Sequence, residues 1–257
     1  MGKKSFLALP QPIVCGIAAK NTVTRDIAAI RNAECDGAAA FAVHMEKTEG
    51  FEHISDEDMR RLTAATEKPV MLLYYRMPKD KPALTDEERV EVLMRAVRCG
   101  AAAVDLTADT FCPSPTEYTT DAKALDLQKK AVDEIHSLGG EVIISSHTGS
   151  VLSCDEVLER MKNVESRGAD IAKIVNLAET EEDFLECLKT TMALRREMKI
   201  PFIHLVGGKF ATLQRYVSPM LGNMLTFCVD RYTEDQISNQ PPVKNMVSAL
   251  RSIGWHI

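Results

Sequence analysis

No Cys-x-x-Cys pair occurs among the seven cysteines, Cys15, Cys35, Cys99, Cys112, Cys154, Cys187 and Cys228. An odd, scattered set argues against a disulfide framework or a structural zinc site and fits a reducing, cytoplasmic setting. Basic charge is in deficit, with 31 Lys and Arg against 37 Asp and Glu. A protein that grips phosphate backbones needs a basic face, so nucleic acid is not an expected partner. No apolar run approaches the roughly 18 residues of a membrane span. The opening MGKKSFLALPQP holds only a short apolar patch, and Phe6 breaks the myristoylation pattern, so no membrane partner is expected. Neither a Gly-x-Gly-x-x-Gly after the first strand nor a Walker loop is present, which removes the usual nucleotide cradles. The six histidines (His44, His53, His136, His147, His204, His256) show no His-x-His or His-Glu-x-x-His spacing. No metal or cofactor is therefore expected.

What is present is a chain of 257 residues, 45% of them hydrophobic, enough for a full core. Short apolar runs alternate with amphipathic stretches from end to end. Strands are predicted over 12–17, 38–44, 70–75, 102–105, 141–146, 171–175, 202–205 and 224–229. The intervening helices fall at about 22–33, from 55, from 85 to about 99, and then 122–138, 155–166, 180–199, 210–220 and 243–253. Ser55 is a candidate cap, and Thr85 with Glu88 and Thr180 with Asp183 read as capped helix starts. The strands are continuous apolar runs rather than strict alternations, as expected when both faces are buried. Eight strand–helix units in about 250 residues fit a closed (β/α)8 TIM barrel. With no interior linker, residues 1–257 are read as one domain. The runner-up is an open doubly wound sheet.

Barrel chemistry sits at the C-terminal strand ends. The polar residues there are His44, Arg76, Asp105, Ser145, Ser146, His147, Lys173, Asn176, His204 and Lys209, with Arg215 slightly beyond. Lys173 is the most informative, because it falls mid-strand in Ala169-Asp170-Ile171-Ala172-Lys173-Ile174-Val175-Asn176. Alternation puts it on the side of Ile171 and Val175. Both sides of a barrel strand are dry, and an ammonium there must be paired or neutralised. A neutral buried amine is the nucleophile that Schiff-base chemistry requires. The bland alternative is a packed lysine whose head pairs with an acid. His147 ends the neighbouring strand, where an imidazole can act as general acid and base on a substrate bound at the amine.

Ile143-Ile144-Ser145-Ser146-His147 resembles the Ser-Tyr-His strand end of the type I 3-dehydroquinate dehydratases, and Ala169-Asp170-Ile171-Ala172-Lys173 is similar to that family's Schiff-base lysine segment. The resemblance runs from Pro12-Ile13-Val14 through Val104-Asp105 to Arg215 and Gln240. It implies that Lys173 forms an imine with a substrate ketone, and that His147 removes the α-proton and helps the β-hydroxyl leave. It further implies that Arg215 binds a substrate carboxylate, that Gln240 lies on a lid after strand eight, and that Arg76 serves as the arginine after strand three. The implied partner is a small keto acid. A homodimer would suit a helix-clad barrel, although no patch in the sequence marks the interface.

The departures matter equally. Where the family has a Glu and an Arg spaced two apart to bind substrate hydroxyls, this chain has Ala42 and His44. After Arg76 it reads Met77-Pro78-Lys79-Asp80-Lys81 instead of Glu-Gly-Gly; Gln214 and Gly222-Asn223 replace serine-bearing positions, and the lid serine is replaced around Gln236. Each lost buried polar partner costs a polyhydroxylated ligand about 1–3 kcal/mol. A less hydroxylated or differently substituted keto acid is therefore expected, with His44 among its contacts. Two alternatives stay open. One is a class I aldolase-like enzyme using Val206-Gly207-Gly208-Lys209 as a phosphate loop. The other is a non-catalytic ligand sensor. Residues 79–81 read as a solvated loop, Cys112 as a possible pocket wall, and His204 as either near the site or a satisfied core histidine.

Overall fold

The computed structural model describes residues 4–50, 54–76, 84–232 and 239–254. The expectations placed on residues 77–81, Gln236, His53 and His256 lie outside the described residues. Among these residues eight strands alternate with eight α-helices. They are β1 (Ile13–Ala18), α1 (Val23–Cys35), β2 (Ala40–His44), α2 (Asp56–Thr63), β3 (Val70–Leu73), α3 (Asp86–Arg98), β4 (Ala103–Thr107) and α4 (Ala122–Ser137). The second half comprises β5 (Glu141–His147), α5 (Cys154–Glu165), β6 (Ile171–Leu177), α6 (Glu181–Glu197), β7 (Phe202–Gly207), α7 (Ala211–Val217), β8 (Leu225–Val229) and α8 (Val243–Ile253). All ladders are parallel, in the order β7-β6-β5-β4-β3-β2-β1-β8.

The helices start where polar side chains satisfy their free N–H groups. Thr85, Ser153 and Thr180 each form a reciprocal capping box, with Glu88, Glu156 and Asp183. The stretch 210–220 departs from the single helix expected there. Pro219 has no N–H to continue the ladder, and the chain passes from α7 into a 3-10 turn over Ser218–Leu221.

Side-chain alternation sorts the strands onto two dry faces. Val14, Phe41, Leu72, Val104, Ile144, Ala172 and Ile174 pack outward beneath the helices. Ile13, Cys15, Ala42, Met71, Leu73, Ile143, Ile171, Ile203, Leu205 and Phe227 fill the interior. Between β7 and β8 a side chain stands in for a strand. Asn223 accepts the His204 N–H through Oδ1 at 2.6 Å and donates to the His204 carbonyl at 3.0 Å. Beside it the Met224 N–H donates to the Phe202 carbonyl at 2.9 Å. This seam brings the two ends of the sheet together.

Candidate active site

Period two puts Lys173 inward with Ile171, on the interior face. The residue is 4% exposed. Nζ donates to the Tyr75 hydroxyl at 2.6 Å and to Asp105 Oδ2 at 3.1 Å, and the Tyr75 hydroxyl donates to the same carboxylate oxygen at 2.6 Å. Three strands' worth of chain (β3, β4, β6) thus meet in one triangle of polar atoms. Tyr75 gets there because the chain leaves the β3 ladder after Leu73 while keeping its alternation: Leu73 and Tyr75 face in, Leu72 and Tyr74 face out. Burial, with the Asp105 charge adding to it, pushes the Tyr75 phenol well above its usual range.

His147 ends β5 and opens on the same cleft, with its ring edge against the Tyr75 ring at a centroid distance of 5.1 Å. Glu117 holds it: one carboxylate oxygen takes both the His147 ring Nδ1, at 2.7 Å, and the His147 backbone N–H, at 3.1 Å. With Nδ1 engaged, Nε2 is the nitrogen left for chemistry. Burial raises the Glu117 carboxyl, but the bonds and charge of His147, with the Lys173 charge, outweigh it and hold that carboxyl below the usual range.

Glu117 lies in the loop after β4 with a positive φ of 47°, a region few side chains adopt. Its surroundings determine that conformation. The Ser146 hydroxyl donates to the Thr116 carbonyl at 2.7 Å. The buried Arg167 guanidinium donates to the Ala108 and Thr119 carbonyls at 2.7 and 2.8 Å, tying down both ends of the loop. Arg76 tethers the same loop. Its guanidinium grips Asp86 through two nitrogens at 3.0 and 2.7 Å and reaches Asp109 at 2.6 Å.

The cleft, about 170 Å³, is walled by Ile17, Leu73, Val175, Leu205 and Phe227, with His44, Tyr75, His147, Lys173, Arg215 and Gln240 as its polar members. Five of the six expected site residues therefore converge: Lys173, His147, Arg215, Gln240 and His44. Arg76, the sixth, does not line the cleft. It follows the inward-facing Tyr75 directly, so its side chain leaves on the other side, towards Asp86 and Asp109. Sequence reading missed Tyr75 and Glu117 as site residues, because one closes an apolar strand and the other sits in a loop 30 positions from the histidine it binds.

Arg215 reaches the cleft from α7 almost fully buried. It donates to the Val206 carbonyl at 2.9 Å, its Nε has no hydrogen-bond partner, and no carboxylate pairs with it among the described residues. Burial pushes its guanidinium down to about 10. His44 is fixed through Nδ1 to Glu46 Oε1 at 2.8 Å, and its ring lies 5.6 Å from that of Tyr75. His204 is a core histidine, held by Asn176 at 3.0 Å and Thr191 at 2.8 Å. Cys112 is absent from the cleft wall. At Gly208 the chain takes a φ of +84° with the Glu179 carboxylate packed against it, an acidic neighbour that repels a phosphate at the glycine loop.

A model of the type I 3-dehydroquinase family matches residues 14–256. The 3-dehydroquinate dehydratase of Alkaliphilus oremlandii is 36% identical over 129 residues, covering 46% of this chain and 50% of that protein. That of Geobacillus thermodenitrificans is 25% identical over 171 residues, covering 66% of this chain and 61% of that protein. The chain thus aligns with only about half to three-fifths of these relatives' length. In fold, the Clostridium difficile type I 3-dehydroquinate dehydratase superposes with a TM-score of 0.79 at 17% identity, covering 95% of this chain and 93% of that one. The Geobacillus kaustophilus 3-dehydroquinate dehydratase gives 0.79 at 18% identity, covering 95% and 91%. With the family matched across nearly all of the chain and the fold shared, this (β/α)8 barrel belongs to the type I 3-dehydroquinase family.

Proposed function

We propose that this protein is a Schiff-base lyase that eliminates water from a β-hydroxy keto acid less hydroxylated than 3-dehydroquinate. The observation that carries the reading is Lys173: an amine buried inside the barrel whose nitrogen borders a cleft that His147 also lines. The Lys173 nitrogen attacks the substrate ketone, and loss of water leaves an iminium. That group withdraws electrons far better than a carbonyl, so the neighbouring C–H becomes acidic enough for His147 to take its proton. The resulting enamine expels the β-hydroxyl with proton assistance, and water then releases the product from the lysine. General acid–base help of this kind contributes about 10²–10⁴ in rate. Arg215, buried and with no acidic partner among the described residues, offers its charge to a substrate carboxylate.

The substrate preference rests on what lines the cleft. Five of its walls are apolar, and at the end of β2 the interior position is Ala42, with His44 already bonded to Glu46. Few groups remain to satisfy a ring bearing several hydroxyls. We place the protein in the cytoplasm on its cysteine usage.

Turnover of 3-dehydroquinate, followed through the absorbance of the conjugated enone product, tests the preference. The wild-type protein is expected to be slow, and the double variant Ala42→Glu with His44→Arg faster by about tenfold or more, since each restored buried polar contact is worth about 1–3 kcal/mol. Wild-type turnover that already matches the family's own enzymes removes the case for a different substrate.

A further inference from the structure

Tyr75 touches the nitrogen that the proposed reaction uses, yet the scheme above gives it no task. We propose that Tyr75, backed by Asp105, is the acid–base catalyst for making and breaking the imine at Lys173, and that His147 serves the carbon-bound proton. The inference rests on the Schiff-base reading of Lys173 and assigns its proton traffic.

The geometry separates the two sets of groups. The Tyr75 hydroxyl accepts from Lys173 Nζ at 2.6 Å and donates to Asp105 Oδ2 at 2.6 Å. It is therefore already aligned to pass a proton from nitrogen to carboxylate. Asp105 is buried, and its Oδ1 has no hydrogen-bond partner among the described residues, so this carboxylate keeps a free acceptor site. His147 is directed elsewhere. Its Nδ1 is held by Glu117, and it meets Tyr75 through a ring edge rather than through a bond to the Lys173 nitrogen.

The balance closes without any other reagent. The Lys173 ammonium gives one proton through the Tyr75 hydroxyl to the Asp105 carboxylate, leaving a neutral amine and a carboxylic acid. The nitrogen lone pair attacks the ketone carbon, the C–N bond forms, and the carbonyl π pair moves onto oxygen. A proton then passes from nitrogen to that oxygen through the same hydroxyl, giving a neutral carbinolamine. Tyr75 next donates its proton to the carbinolamine hydroxyl and is refilled from Asp105. The C–O bond breaks, water leaves, and the nitrogen lone pair closes the C=N bond. The sum is one ammonium and one ketone converted into one iminium and one water, with Asp105 a carboxylate at both ends. Burial and the Asp105 charge disfavour the phenolate, so each proton that Tyr75 gives up is replaced as it leaves.

Pyruvate with sodium cyanoborohydride reads this half-reaction alone, because reduction fixes each imine as it forms and no carbon-bound proton moves. The rate of modification at Lys173 is followed by peptide mass spectrometry in the wild type, Tyr75→Phe, Asp105→Asn, His147→Gln and Lys173→Met. The wild type is expected to be modified at residue 173, with no adduct in Lys173→Met. Tyr75→Phe is expected to be slower by about a hundredfold, the lower end for general acid–base catalysis. Asp105→Asn supplies an independent slow variant if the phenylalanine protein fails to fold. If wild-type Lys173 takes no adduct, the imine reading itself is lost. If the wild type is modified while Tyr75→Phe or Asp105→Asn keeps its rate, or His147→Gln is the slow variant instead, the imine reading stands and the assignment to Tyr75 is overturned.

Discussion

Glu117 shows how much a single residue outside every regular element can decide. It holds both the ring and the backbone of His147 from a left-handed conformation that costs on the order of 1 kcal/mol or more. Replacing it with glutamine leaves the shape but removes the negative charge facing the imidazole. In the Glu117→Gln variant, exchange of the substrate α-proton with deuterated solvent is expected to slow by about tenfold or more. Unchanged exchange would reduce Glu117 to a strut of its loop. Two other buried groups contribute opposing slopes to the acid response of the fold. Burial pushes His204 from 6.5 down to about 4, so the unfolded chain takes its proton first and stability falls as pH drops through that window. Burial raises Asp26 from 3.8 to about 6 against the opposing bond and charge of Lys20, so here the folded chain takes its proton first and stability rises over nearly the same window. The two slopes offset each other. Urea midpoints of Asp26→Asn are therefore expected to fall more steeply than those of the wild type between pH 6.5 and 4. Parallel curves would contradict that.

At the level of elements, the rhythm of strands and helices is written locally and was legible. The boxes at Thr85–Glu88 and Thr180–Asp183 form as their spacing suggests. Ser153 with Glu156 forms a third, which was overlooked by starting that helix at Asp155. The break in 210–220 was also written in the chain, at Pro219, but amphipathic spacing on both sides concealed it. What no local pattern announces is the seam between β7 and β8, because Asn223 does a strand's work from a turn. Its removal leaves the buried N–H of His204 without its partner, while the His204 carbonyl keeps the Gln214 amide at 2.7 Å. Asn223→Ala is expected to lose at least about 2 kcal/mol in urea unfolding, more than the roughly 1 kcal/mol of losing a helix cap. A loss no larger than that of Thr85→Ala would show that the seam is closed by other contacts.

Over the whole molecule, the barrel gathers at one end residues that the sequence keeps far apart. Lys173 and His147 stood out because a cation inside a dry strand and an imidazole at the next strand's end each invite explanation one residue at a time. Their partners do not. Tyr75 lies 98 positions from Lys173 and Asp105 lies 68, distances at which spacing carries no information. Arg76 differs for a related reason: likeness to a family suggests its role, while the parity of β3, legible in Leu73 and Tyr75, turns its side chain towards Asp86 and Asp109. The fold is shared with the type I 3-dehydroquinases, and under the function proposed above the barrel keeps a reactive centre while Ala42 and His44 change what surrounds it.

The most direct test of this account is borohydride reduction during turnover. The protein is incubated with 3-dehydroquinate and, separately, with less hydroxylated β-hydroxy keto acids, reduced with sodium borohydride, digested, and read by peptide mass spectrometry. The account predicts a reduced adduct on Lys173 with every compound that is turned over, and none in Lys173→Met. Turnover of any of these compounds with Lys173 left unmodified would contradict it.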